Sequence, residues 1–138
     1  MKSISYFFFF TYVGLVTVAG FWGAFVNPVF DFQLLFKLDV FSLPESIRIN
    51  LLSQYRFLRA IELGFGIFSL LFIKEIFSEL KFNRLFLSIM AMGVLARVFS
   101  LYAEGQPSAL FYLFLIWELL GVLFIFLYSR KTMQLYAG

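Results

Sequence analysis

The sequence predicts an all-α membrane protein: a four-transmembrane-helix bundle, N- and C-termini cytoplasmic, with an extended outer connection between helices 1 and 2. Three observations point there. Of 138 residues, 62% are hydrophobic and 14% charged, and the mean hydropathy is +0.93; soluble domains run nearer roughly 45–50% apolar and 25% charged. Four apolar stretches approach the roughly 20 residues needed to cross a hydrocarbon core. The Lys and Arg residues between those stretches fall mostly on one side.

The first stretch, residues 6–26, carries no charge. Lys2 precedes it, and Val18-Ala19-Gly20 loosely resembles a leader cleavage site. Apolar character continues through Phe25, however, beyond the roughly 7–15 residues of a secretory leader's core. The stretch is therefore read as a retained helix. The second, about 51–73, carries Arg56, Arg59 and Glu62. The third, 85–102, carries Arg97, and the fourth, 110–128, carries Glu118. Little chain remains for a soluble part, so residues 1–138 read as a single membrane domain.

The connection 27–50 is the largest piece outside these stretches. Pro44 followed by Glu45 reads as a helix start, so helix 2 is expected to begin near residue 44, outside the membrane. Residues 30–41 are expected at the outer interface or over the bundle mouth. Their alternation is too poor to choose strand over helix.

Orientation follows from the basic residues. One side would hold Lys2, Lys74, Lys81, Arg84, Arg130 and Lys131; the other would hold Lys37 and Arg48. The richer side is the cytoplasm. Tyr6, Tyr12, Trp22, Tyr102, Tyr112 and Tyr128 suit the interfacial belts. The expected location is a bacterial cytoplasmic (inner) membrane.

Helix 2 is marginal as a span. Between residues 52 and 73 stand twelve Leu, Ile or Phe, together favouring insertion by roughly 5 kcal/mol. Arg59 and Glu62, at about 2.5–3.5 kcal/mol for a charge near a helix centre, nearly cancel that. The assembled bundle has to compensate. At about 1.5 Å per residue, Arg59, Glu62, Arg97 and Glu118 all fall in the outer half of the membrane. The short link between helices 3 and 4 makes them antiparallel neighbours, so Arg97 and Glu118 can meet. Arg59 and Glu62, three apart, share a helix face with Tyr55 and Gly66. Two acids and two bases form one locally neutral cluster, read either as structural or as a ligand-binding site. Small residues at one-turn spacing (Ala19 with Gly23, Gly20 with Ala24, Ala60 with Gly64, and Gly66, Gly93 and Gly121 beside the charges) suit close helix contact in lipid. Those on helix 1 serve either the bundle or an oligomer.

Glu104-Gly105-Gln106-Pro107-Ser108 is turn chemistry, with Gly supplying positive φ, Pro the exit and Ser108 a cap for helix 4. Its alternative role is a lid, with Glu104 and Gln106 over the charge cluster.

Several of these segments also resemble a known family. They are Arg59-Ala60 followed by Gly64 and Gly66, the run Met92-Gly93-Val94-Leu95-Ala96-Arg97-Val98-Phe99-Ser100, the turn at 104–108, and Trp117-Glu118-Leu119. Over roughly residues 52–126 the chain resembles small four-helix bacterial membrane proteins grouped as a domain of unknown function, with DoxX-like proteins as distant relatives in architecture. The resemblance implies a four-helix membrane domain and no activity to carry over. Glu62 departs from it, standing where the family pattern is expected to hold an apolar or small residue.

Composition excludes much chemistry. With no Cys and no His, there is no thiol nucleophile, disulfide, imidazole base or His-ligated zinc, and Ser-His-Asp hydrolysis is out. No motif supports a metal site, and no cofactor is expected. The formal charge of +3 is a topology signal. No basic run interleaved with aromatics suggests nucleic acid. The favoured reading is a structural or accessory subunit of a larger membrane complex. Its partners would be the lipid bilayer and other membrane proteins, or copies of itself. The alternative is a binder or carrier of a lipid or other amphipathic small molecule at the Arg/Glu cluster. A third reading is a lipid-modifying enzyme using Glu62 or Glu118 as acid or base; no nucleophile or oxyanion arrangement accompanies them.

Overall fold

The computed structural model describes residues 1–137. Every regular element among them is helical, with no strand. Helix α1 (Lys2–Phe21) continues into a π-helical turn (Trp22–Val26). Helix α2 (Pro28–Phe36) leads through a 3₁₀ turn (Val40–Ser42) to α3 (Glu45–Leu71). The short α4 (Ile73–Ser78) precedes two long helices, α5 (Leu80–Ala103) and α6 (Ala109–Ala137).

Among the described residues, three segments are long and apolar enough to cross a membrane: Lys2–Val26, Leu80–Ala103 and Ala109–Met133. Helix α3 has the length, with 27 residues, or about 40 Å. Arg56, Arg59 and Glu62 hold it below the other three in apolarity. Helix α3 begins at Glu45, directly after Pro44, where the sequence signals a start.

Two connections are more helical than their sequences suggest. In 30–41 the strand alternative falls. Asn27 caps α2, its Oδ1 accepting from Phe30 N at 3.1 Å, and Pro28 takes the first helical position. Lys37 ends α2 in the left-handed region (φ 54°), and Leu38 N donates back to Phe32 O at 3.1 Å. The stretch 74–84 holds α4 and the start of α5, because Ile76 and Phe77 are buried and need an ordered face to pack.

Contacts sort the chain into two compact units. One comprises Met1–Val13 with the chain from Ser69 onward; the other is Gly14–Phe68. In the first, the Phe-rich start of α1 divides by face. Phe8 and Phe9 are buried, while Phe7 and Phe10 point outward. Phe9 packs on Phe77 and Phe86, with ring centroids 5.4 and 5.2 Å away, and Phe8 on Trp117 at 4.8 Å. In lipid such packing, rather than water exclusion, holds helices together. Polar groups on α1 are satisfied by α6: the Ser5 hydroxyl donates to Phe124 O at 2.9 Å, and Trp117 Nε1 donates to Thr11 Oγ1 at 3.2 Å. Asn83 Nδ2 donates to Ile76 O at 2.9 Å and ties α5 to α4.

In the second unit, the end of α1 and the π-helical turn lie against α3. A Cβ on Gly20 would stand 2.7 Å from Leu63 N and 2.9 Å from Arg59 O, both main-chain atoms. A Cβ on Gly66 would collide with Thr17 Oγ1. Gly20 on helix 1 and Gly66 on α3 therefore serve contact within the chain. Gly64 and Gly93 face open space instead. They support no close approach, contrary to the spacing argument.

Candidate functional site

Among the described residues, each unit holds one ion-paired group. In the second unit the centre is Arg59, on α3. Its Nη1 donates to Glu62 Oε2 at 2.6 Å, one turn on. Its Nε donates to Tyr55 OH at 2.8 Å, one turn back. Its Nη2 lies 3.2 Å from Asp31 Oδ2 on α2, and Tyr55 OH donates to that same oxygen at 2.7 Å. One arginine thus joins two acids and a phenol.

The local fold explains the geometry. Gly23, in the π-helical turn, has no side chain, and the space is taken by the Arg59 stem and Asp31. A Cβ there would stand 2.6 Å from Arg59 Cγ and 2.8 Å from Asp31 Oδ2. The cap at Asn27 starts α2, which carries Asp31 inward one turn later. Phe32 packs on the Tyr55 ring at 4.7 Å and holds it in place. Arg56 has a different task. Its Nη1 donates to Ala24 O at 2.6 Å. In an uninterrupted α-helix that carbonyl would accept from residue 28, which is proline and has no N–H. Arg56 satisfies the orphan.

Burial is uneven. The side chains of Asp31 and Arg59 are 10% and 16% exposed, whereas that of Glu62 is 44% exposed. Asp31 is the inner counter-ion and Glu62 the outer one.

In the first unit, Arg97 on α5 meets Glu118 on α6 in a two-point contact. Nε donates to Oε2 at 2.8 Å and Nη2 donates to Oε1 at 3.1 Å. The fork geometry of the guanidinium matches the carboxylate. The Phe114 ring lies 5.6 Å from Arg97 Cζ, close enough for a cation–π contribution. Gly121, one turn beyond Glu118, leaves room for the tip of Met90; a Cβ there would sit 3.3 Å from Met90 Cε.

Of the four residues expected in one cluster, the structure joins Arg59 to Glu62 in one unit and Arg97 to Glu118 in the other. Each pair is neutralised within its own unit. Glu104 and Gln106 are exposed on the link between α5 and α6. Gly105 adopts φ +103° there, a conformation that favours glycine. Ser108 enters α6 through its carbonyl, which accepts from Phe111 N at 3.0 Å.

Asp31 is the residue that sequence reasoning missed. One signal was present: helix α3 brings two arginines and a single glutamate to this level, so another acid was owed. Asp31, between Phe30 and Phe32 in the connection that leads into α3, was one candidate, beside Asp39 and Glu45.

No curated protein and no solved structure matches the chain. The expected likeness to DoxX-like proteins is not shown. One family model covers nearly all of it, from residue 7 to residue 129. With helical elements throughout that range and the charged residues in place on them, the chain belongs to the family described as Domain of unknown function (DUF4345).

Proposed function

We propose that this chain is a single membrane domain that crosses a bacterial inner membrane four times, both termini cytoplasmic, and serves as a structural or accessory subunit of a larger membrane complex. The observation that carries the reading is the internal use of its deepest charges. Arg59 is engaged by Tyr55, Asp31 and Glu62, and Arg97 by both oxygens of Glu118. Arginines so occupied hold helices in register and present no empty fork to an anionic ligand. Removing one member would strand a costly charge. Binding of an amphipathic molecule at these arginines is correspondingly disfavoured.

The fourth span is argued from length and charge pairing. Helix α3 has 27 residues, more than the roughly 20 a crossing takes. With α3 crossing, Lys2, Lys74, Lys81, Arg84, Arg130 and Lys131 share one side and Lys37 and Arg48 the other, and the richer side is the cytoplasm. Asp31, Glu62 and the phenol of Tyr55 offset the arginines that make α3 expensive to insert.

The test is native mass spectrometry of the protein, tagged at its own locus and extracted from its own membranes in mild detergent. The expected result is larger subunits in fixed ratio. A lone protomer under those conditions would overturn the subunit reading.

A further inference from the structure

One end of the α5–α6 pair holds a groove of about 590 Å³. That is within the roughly 300–1,000 Å³ typical of small-molecule sites. Leu87 and Ala91 of α5 form one apolar wall, and Val122 and Phe126 of α6 the other. Arg84 and Arg130 also line it. The Arg97–Glu118 contact sets the register of these antiparallel helices, and by it residue 84 lies level with residues 130 and 131. Both arginines therefore stand at the same end. From there the groove runs back along α6 to Val122, about 12 Å at 1.5 Å per residue. Ser88, one turn beyond Arg84, adds a hydroxyl to the lining.

These two arginines differ from Arg59 and Arg97. Both are exposed, and neither has an ion-pair partner among the described residues. A cationic mouth on an apolar slot between two helices apolar enough to span a membrane has one complementary occupant. It is a molecule with an anionic head and a hydrocarbon tail. Basic pockets between helices on the cytoplasmic side take anionic lipid headgroups by this chemistry.

We infer that the groove is a binding site for one anionic glycerophospholipid. Arg84 and Arg130 hold its phosphate, Ser88 stands at the level of its ester groups, and an acyl chain lies along Leu87, Ala91, Val122 and Phe126. The inference goes beyond the subunit reading and does not require a larger complex. Its readout is a lipid mass, whereas the subunit reading is tested by co-purifying protein.

The experiment is native mass spectrometry of the purified full chain in mixed micelles of equimolar phosphatidylglycerol and phosphatidylcholine. One phosphatidylglycerol should be retained in preference to phosphatidylcholine. The double variant Arg84→Gln/Arg130→Gln should lose roughly 30-fold of that preference, from about two basic contacts near the membrane surface. Lys81→Gln/Lys131→Gln, which alters neighbouring bases outside the groove, should keep it. Ala91→Trp fills the slot with both arginines intact and should lose the adduct, which separates a lipid from a free phosphate; inorganic phosphate should not compete. Equal retention of the two lipids by the unaltered chain would overturn the proposal. So would equal loss in the lysine variant, or full retention in Ala91→Trp. Ala91→Trp also carries the test should the arginine variant fail to fold.

Discussion

Arg59 has two acidic partners that sit at different depths, and the difference sets their worth. Asp31 is almost enclosed, while Glu62 is close to half exposed. Removing one member of a buried pair leaves an uncompensated charge, at about 3–5 kcal/mol. An exposed pair contributes only about 0–1 kcal/mol. Asp31→Ala should therefore lower thermal stability in detergent far more than Glu62→Ala. Unfolding followed by tryptophan fluorescence gives the comparison, and a Glu62 variant at least as unstable as the Asp31 variant would contradict the assignment. Asp31 was hard to read from sequence because it meets α3 only through tertiary folding, from a nine-residue helix with little apolar periodicity. Only the charge imbalance on α3 pointed to it. The Arg97–Glu118 contact was easier. A link of five residues forces α5 and α6 together, and Arg97 and Glu118 stand six and nine residues from its two ends, close enough in level for long side chains to meet.

At the scale of helices, three glycine environments give contrasting expectations. Gly20 meets main-chain atoms of α3, which cannot step aside. Gly20→Ala should cost about 1–3 kcal/mol, as overpacking does. Gly64→Ala and Gly93→Ala point into open space and should change stability by less than about 1 kcal/mol. Melting temperatures of the three variants in one detergent decide this; equal losses at Gly20 and Gly93 would mean that the α1–α3 contact is misplaced. A second test concerns the α5–α6 ion pair. Arg97→Leu and Glu118→Leu alone should each destabilise the protein, and the double variant should be more stable than either single. A double variant worse than both would argue that the pair does more than hold two helices in register. The long helices were legible in the sequence because a bilayer demands a minimum apolar length. Helices α2 and α4 were not, since nine mostly apolar residues and six of mixed character show no decisive period. Their form is set by the Asn27 cap and by burial of Ile76 and Phe77.

For the molecule as a whole, the open issue is the number of crossings. Three segments qualify by length and apolarity, and α3 qualifies by length with its charges paired. An even number of crossings puts both termini on one side; an odd number separates them. The absence of cysteine makes the measurement direct, since any introduced thiol is the only one. Single variants Ser3→Cys, Gln33→Cys, Gln106→Cys and Gly138→Cys would be treated in intact cells with a membrane-impermeant maleimide, then again after permeabilisation. Four crossings predict labelling of Gln33→Cys and Gln106→Cys in intact cells, and of Ser3→Cys and Gly138→Cys only once the membrane is opened. Labelling in intact cells of one terminal variant but not the other, Ser3→Cys or Gly138→Cys, would mean an odd number of crossings with α3 not spanning, and that the four-span account is wrong.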